Sequence, residues 1–105
     1  MKAPGAVWRV PMTEADLSRA VLDMARLFGW MGYHTWSSVH STGGFPDWVF
    51  VRPPRVLFVE LKRKGRNPTE TQDAWLDALL DCPGVEVALW RPADLDDGTI
   101  EAVLR

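Results

Sequence analysis

The sequence lacks several features that would each point to a particular class of protein. Cys82 is its only cysteine, which excludes an intrachain disulfide and a zinc site built on several thiolates. No apolar run approaches the roughly 20 residues of a membrane span. The first ten residues also lack the apolar core of a signal peptide. We therefore expect a cytoplasmic protein that contacts no membrane.

The chain also lacks a strong net charge, which is −2 at pH 7. Its charges are nevertheless unevenly distributed. The first 67 residues carry ten Lys and Arg against five Asp and Glu, and the remainder carries two against nine. The run Lys62-Arg63-Lys64-Gly65-Arg66 is dense enough to follow nucleic-acid phosphates, although most charge runs are simply solvated loops.

The residues that are present predict one folded domain with a substantial core. Hydrophobic residues make up 47% of the 105 positions and include six Trp. This composition is typical of a globular chain of this length. Residues 1–12 are interrupted by Pro and Gly and are predicted to form an N-terminal arm. Residues 13–105 are predicted to form the domain.

Hydrophobic periodicity predicts an α/β fold in the order α-β-β-β-α-β-α. Thr13 and Asp16 form a capping box at the start of the first helix, which Gly29 ends. Asn67 is predicted to be the N-cap of the second helix, with Pro68 at N1 and Glu70 at N3. After a polar turn that follows Arg91-Pro92, a short helix completes the chain. The predicted strands span 33–40, 47–52, 56–62 and 85–90, and the last helix spans 99–104. One mixed central sheet flanked by helices follows.

Two carboxylates are predicted to meet across the hairpin that turns at Pro53-Pro54. If that turn is symmetric, Asp47 lies opposite Glu60, with Cβ atoms about 4.5–5.5 Å apart. Two like charges at that distance repel each other unless a cation lies between them. Mg²⁺ typically binds one or two carboxylates together with water. A one-residue bulge would move Asp47 to the other face of the sheet.

Lys62 lies two residues beyond Glu60, so the two side chains project from the same face of the strand. A bound metal, a lysine and two carboxylates suffice to hydrolyse a phosphodiester. The alternative is that Glu60 and Lys62 form a solvent-facing pair. Val56 and Phe58 precede Glu60 on its own face, however, and this apolar pattern is typical of an interior strand.

Two polar residues on the helices have equally open interpretations. Glu14 belongs to the apolar stripe of the first helix and is aimed at the core or at a cleft. Alternatively, it complements the helix dipole from the first turn. Gln72 precedes the apolar stripe of the second helix, either next to the site or as a hydrogen-bonded amide at the edge of the core.

Three segments together resemble the PD-(D/E)xK nuclease signature: Gly44-Phe45-Pro46-Asp47, then Glu60-Leu61-Lys62, then Gln72. More narrowly, they are similar to the VRR-NUC domains (virus-type replication–repair nucleases), from about Thr13 to the end. The resemblance implies a restriction-endonuclease-like core. It also implies Mg²⁺ or Mn²⁺ as cofactor.

The resemblance further implies a role for each matching residue. Asp47, Glu60 and the Leu61 backbone carbonyl would bind the metal, and Glu14 would hold it through water. Lys62 would position the attacking water, and Gln72 would support the site. The candidate DNA contacts are Lys62, Arg63, Lys64, Arg66, His40 and Ser41. Neither His34 nor His40 is expected to be catalytic. Trp36 and Trp48 could stack on bases, but both are expected to pack in the core.

The function implied is a metal-dependent DNA endonuclease acting in phage or bacterial replication, recombination or repair. Branched, flap or junction DNA is the expected substrate, and the protein is expected to form a homodimer. A replication or recombination protein is a further expected partner. Two alternatives are a non-catalytic nucleic-acid-binding or assembly module with the same fold, and a nuclease active only with a partner.

Overall fold

A computed structural model describes residues 11–36 and 42–105. Residues 1–10 of the predicted arm and the candidate DNA contacts His40 and Ser41 lie outside the described residues. The helices are α1 (Glu14–Leu27), α2 (Glu70–Leu80), α3 (Pro92–Asp96) and α4 (Thr99–Leu104). The strands are β1 (Met31–His34), β2 (Trp48–Arg52), β3 (Arg55–Leu61) and β4 (Glu86–Trp90).

The four strands form one mixed sheet in the order β1-β2-β3-β4. The first three strands are antiparallel, and β4 runs parallel to β3. The predicted α/β class is therefore confirmed. The hairpin register is also confirmed, because Arg52 pairs with Arg55 and Phe50 pairs with Leu57 without a bulge.

The main core lies between one face of the sheet and the helices α1 and α4. Its members are buried side chains from both layers: Leu17, Val21, Ala25, Trp30, Trp48, Phe50, Leu57, Val59, Leu61, Trp90, Ile100 and Leu104. Alternation along β3 turns Phe58 and Glu60 to the opposite face. There, the Phe45 ring contacts both Phe58 and Trp75 of α2.

Helix α1 begins as its sequence predicts. The Thr13 hydroxyl accepts a hydrogen bond from the Asp16 N–H at 3.0 Å, and the Asp16 carboxylate accepts one from the Thr13 N–H at 3.4 Å. The helix ends at Gly29, which has a φ of 84°. Within the described ranges, no helix is long and apolar enough to cross a membrane.

The predicted start of α2 is wrong by two residues. Thr69, rather than Asn67, is the N-cap, and Thr69 forms a reciprocal capping box with Gln72. This arrangement satisfies two N–H groups at once. Asn67 instead accepts a hydrogen bond from the Arg91 guanidinium at 3.4 Å.

Two other boundaries also differ from the predictions. Strand β1 ends at His34 because its partner β2 begins at Trp48, opposite His34. The part of the predicted strand at 35 and 36 has no ladder, and 37–40 lie outside the described residues. The predicted turn after Arg91 is helix α3. There, Pro92 occupies the first helical position, and Asp94 accepts a hydrogen bond from the Arg91 N–H at 2.8 Å. The final helix, α4, is confirmed.

The hairpin end of the sheet is held by two arginines around Trp30. The Arg52 and Arg55 guanidinium carbons lie 4.6 and 4.7 Å from the Trp30 ring centroid. Arg52 also donates to the carbonyls of Phe28 at 2.8 Å and Leu104 at 3.0 Å. These bonds satisfy carbonyls near the ends of α1 and α4, so one guanidinium joins both helices to the sheet.

Candidate active site

Asp47 lies where β2 and β3 separate, at the end of the sheet opposite the hairpin turn. Its Oδ2 atom accepts a hydrogen bond from the Leu61 N–H at 2.7 Å. Its backbone carbonyl accepts one from the Thr35 N–H at 2.8 Å, just beyond β1. Asp47 is therefore fixed from both sides by the chain segments that flank it in the sheet.

Glu60 is the one buried charged residue within the described residues, with 1% of its surface exposed. Neither carboxylate oxygen has a hydrogen-bond partner in the described part of the chain. Burial, with a further contribution from the negative charge of Asp47, raises the pKa of Glu60 to about 7. A buried carboxylate that accepts no hydrogen bond is costly to the fold, so the ionised form of Glu60 destabilises the folded chain.

Lys62 supplies a positive charge beside this carboxylate. Its Nζ atom lies 3.5 Å from Glu60 Oε2, and its side chain is 13% exposed. The ammonium lowers the pKa of Glu60 but does not overcome the effects of burial and Asp47. The predicted convergence of Asp47, Glu60 and Lys62 is thus present in the structure, and the interior position predicted for Glu60 is confirmed.

The donor set fits a hard divalent cation. Two buried carboxylate oxygens that accept no hydrogen bond, next to a second carboxylate, form a site that a divalent cation would stabilise. Within residues 11–36 and 42–105, no group of three or more His, Cys, Asp or Glu side chains could enclose a metal. Mg²⁺ does not need such a cage, because it keeps several waters and binds one or two carboxylates.

The Leu61 carbonyl and Glu14 remain predicted metal ligands, and both are positioned near Asp47. The Leu61 N–H points toward Asp47, and the N–H and C=O of one strand residue lie on the same edge of the strand. Glu14 is the first residue of α1 and lines a cleft of about 470 Å³ together with Asp47 and Leu61. Its position is compatible with both interpretations given above.

Gln72 has a defined structural role away from that cleft. Its Oε1 atom accepts a hydrogen bond from the Thr69 N–H at 2.9 Å, so its amide caps α2. Support of the metal site by Gln72 stays a prediction.

The segment that leads into Asp47 is packed tightly against α2. Pro46 is fully buried, and Phe45 meets Trp75 edge to face at a centroid distance of 5.0 Å. Gly44 has a φ of +91°, and a Cβ atom there would lie 2.7 Å from the Thr71 carbonyl carbon. Only glycine fits this approach, so the Gly-x-Pro-Asp pattern has a packing reason as well as a chemical one.

We predict that Gly44→Ala lowers the free energy of unfolding by about 2 kcal/mol or more, because the positive φ and the backbone contact both oppose a Cβ atom. Urea denaturation monitored by circular dichroism measures the change. Gly43→Ala is the matched control, since a Cβ there meets nothing within 4 Å. Equal stability of the two variants would contradict the packing argument.

The basic run follows β3 as an exposed loop. Arg63, Lys64 and Arg66 are exposed and line a second cleft of about 560 Å³ beside Met12 and Thr13. The Arg66 carbonyl accepts a hydrogen bond from Arg91 at 2.9 Å, which ties the loop to the end of β4. The predicted phosphate contacts are therefore accessible and continue from Lys62.

The two tryptophans expected in the core have different environments. Trp48 is 7% exposed and donates a hydrogen bond to Ser18 Oγ at 2.7 Å, which confirms its core position. The expectation for Trp36 is wrong, because 76% of its surface is exposed. Trp36 lies two residues beyond the last paired residue of β1, and the sequence pattern does not reveal where this pairing ends. Trp36 lines the cleft that contains Glu14 and Asp47.

A mixed four-stranded sheet flanked by helices, with Asp, Glu and Lys where two strands separate, defines a PD-(D/E)xK-like fold. A solved structure described as a VRR_NUC domain superposes with a TM-score of 0.67 and 16% identity, covering 82% of this chain and 92% of that chain. Another, described as a VRR_NUC domain protein, has a TM-score of 0.66 and 16% identity, covering 90% and 87%.

No protein-family model matches the sequence, and no curated protein matches it significantly. At this identity the similarity establishes the fold. The resemblance predicted from the Gly44–Asp47 and Glu60–Lys62 motifs is therefore confirmed at the level of architecture.

Proposed function

We propose that this protein is a metal-dependent nuclease that hydrolyses DNA phosphodiester bonds at the cleft beside Asp47. The observation that carries the proposal is the buried Glu60 carboxylate, whose oxygens have no hydrogen-bond partner among the described residues. The shared fold of the VRR_NUC domain structures supports the same class of activity.

In this proposal, Asp47, Glu60 and the Leu61 carbonyl hold Mg²⁺ or Mn²⁺, and Glu14 contributes through a water molecule. The bound cation would lower the pKa of a water molecule and offset the charge of the phosphate. Asp47 is suited to its role because its Oδ2 atom is already fixed by the Leu61 N–H, so little ordering remains when a ligand binds.

Lys62 would orient the attacking water and balance negative charge on the phosphoryl oxygens. Its ammonium lies 3.5 Å from the buried carboxylate, and its side chain is 13% exposed, so the charge is largely shielded from solvent. A preorganised charge in a partly water-excluded site stabilises developing charge more strongly than one in bulk water.

The basic loop extends the proposal from chemistry to substrate. Arg63, Lys64 and Arg66 would contact phosphates on the strand that enters the site. Such contacts are independent of base sequence and weaken with added salt. We therefore propose an endonuclease that selects DNA by structure rather than by sequence, with branched, flapped or junction DNA as its substrates.

The experiment that tests the proposed function is cleavage of plasmid, linear duplex, flap and junction DNA in Mg²⁺, Mn²⁺ or EDTA. We expect cutting in either metal, with preference for a branched substrate, and none in EDTA. Asp47→Asn removes a ligand charge and should abolish cutting. Asp23→Asn, on the exposed surface of α1, should not.

Cutting retained in EDTA, or by Asp47→Asn, would contradict the proposed site. Absence of cutting on every substrate by folded wild type that still binds DNA would favour the non-catalytic module instead.

A further inference from the structure

The exposed Trp36 ring stands beside the proposed active site. Among the described residues it is the tryptophan with the largest exposure, at 76%, and it lines the same cleft as Asp47. A large aromatic side chain left in water beside this cleft needs an explanation, because burying it would stabilise the fold.

A continuous series of aromatic contacts connects Trp36 to the core. Its ring meets His34 edge to face at 5.0 Å, and His34 lies 4.8 Å from Trp48. Trp48 in turn stacks on the buried Phe50 at 5.1 Å with the rings 9° from parallel. These contacts restrict the orientation of the exposed Trp36 ring.

The same segment is attached directly to the proposed metal ligand. Thr35, the residue before Trp36, donates its N–H to the Asp47 carbonyl at 2.8 Å. This bond joins the backbone next to the aromatic ring to the backbone that carries the carboxylate. A ligand that contacts both the ring and the carboxylate would be held at a defined distance from the reacting phosphate.

We propose that Trp36, supported by His34, forms a stacking surface for one unpaired DNA base adjacent to the scissile phosphate. The proposal rests on the nuclease function proposed above and specifies its substrate class. A base inside a duplex is covered on both faces by its neighbours, and only an unpaired or extruded base offers a face to a protein ring. Stacking is independent of base identity, since every base has an aromatic face.

The chemistry of the cleft agrees with this assignment. Glu14 and Asp47 place two negative charges in this cleft against the one positive charge of Arg19, which pairs with Asp16 at 3.8 Å. The remaining negative charge disfavours phosphates away from a bound cation. An uncharged base is compatible with the aromatic side of the cleft. Its phosphate would lie toward Lys62 and the basic loop. The substrate in this arrangement is a strand that carries at least one unpaired nucleotide next to the cut.

The test uses binding of two DNA hairpins in the Asp47→Asn background, so that cleavage does not intervene. One hairpin is fully paired, and the other carries a single-stranded tail with 2-aminopurine at successive positions. We expect Trp36→Ala to weaken binding of the tailed hairpin roughly tenfold and that of the paired hairpin little. It should also remove quenching of 2-aminopurine at one tail position.

Two further variants separate stacking from loss of a surface side chain. Trp36→Phe keeps an aromatic face and should restore most of the tail binding. Leu27→Ala removes another side chain that is 78% exposed and should bind like the parent. Unchanged tail binding by Trp36→Ala, or an equal loss on both hairpins, would overturn the stacking proposal.

A cleavage assay with native Asp47 separates the stacking proposal from the proposed nuclease function, because the two can fail independently. Metal-dependent cutting with no Trp36 effect on tail binding refutes the stacking surface and leaves the nuclease in place. A Trp36-dependent tail preference without any cutting supports the stacking surface and contradicts the proposal that the protein alone is a nuclease.

Discussion

Glu60→Gln should make the metal-free protein more stable at pH 8 and, at the same time, abolish cleavage. The Glu60 carboxyl has its pKa raised from 4.5 to about 7 by burial and by Asp47. A shift of that size corresponds to about 3 kcal/mol. Gln has nearly the same shape and carries no charge, so it removes this penalty together with a ligand charge.

The pH dependence has a definite sign. The folded protein retains the Glu60 proton between about pH 4.5 and pH 7, whereas the unfolded chain loses it. The contribution of Glu60 to the free energy of unfolding therefore falls as pH rises through this window and is lowest above it. Glu60→Gln should flatten this part of the curve and raise stability at pH 8 by about 3 kcal/mol, with no gain at pH 4.

Urea denaturation in EDTA across pH 4–9 measures the effect. Glu86→Gln is an informative contrast, because the hydrogen bonds donated by Arg55 lower the pKa of Glu86. That carboxylate stabilises the fold above its unfolded pKa, so its removal should cost stability at pH 8. Added Mg²⁺ should raise the melting temperature of wild type at pH 8 but not that of Glu60→Gln. Lower stability of Glu60→Gln than of wild type at pH 8 would contradict the conclusion that the buried Glu60 charge destabilises the fold.

Lys62→Met should reduce cleavage by about 10²- to 10⁴-fold, the range typical of a positioned acid–base or charge-stabilising group. Met fills a similar volume without the ammonium that lies 3.5 Å from Glu60. The loss should appear in kcat more than in KM, because the charge acts mainly on the developing transition state.

The same variant should also change stability in a pH-dependent way. Above pH 7 it leaves the ionised Glu60 without its neighbouring cation, at a cost on the order of 2 kcal/mol. Near pH 4 the protonated Glu60 needs no cation, so the cost should be small. In the double variant with Glu60→Gln, most of the cost at pH 8 should disappear.

Lys64→Met is the matched control for Lys62→Met, since it removes an exposed lysine two residues away. It should leave stability unchanged and affect DNA binding only through salt-dependent phosphate contacts. Full cleavage activity of Lys62→Met, or identical behaviour of the two lysine variants, would remove Lys62 from the proposed mechanism.

Much of this site could be predicted because the sequence contains its geometry. The symmetric turn at Pro53-Pro54 determines the register, and the register brings Asp47 to the level of Glu60. The alternation of β3 then places Lys62 on the same face as Glu60. Each of these steps follows from the period of a strand, which is a local property of the chain.

The features that could not be predicted depend on contacts between distant segments. Thr69 displaces Asn67 as the N-cap of α2, although both residue types cap helices well, and Arg91 engages Asn67 instead. Trp36 lies beyond the pairing of β1 with β2, which ends at His34 and Trp48, and 76% of its surface is exposed. Local periodicity predicts neither the N-cap of α2 nor the exposure of Trp36.

The contacts of Arg52 and Arg55 with Trp30, here called the clamp, stabilise one end of the sheet, whereas the other end contains a destabilising charge. At the hairpin end, charged groups meet aromatic rings, carbonyls and Glu86. At the other end, Glu60 remains unsatisfied. Selection can therefore act on the two ends separately. Substitutions near the clamp would change the stability of the fold. Substitutions around Asp47 would change the chemistry of the site. A lineage that strengthened the clamp could explore new chemistry in the cleft without losing the fold.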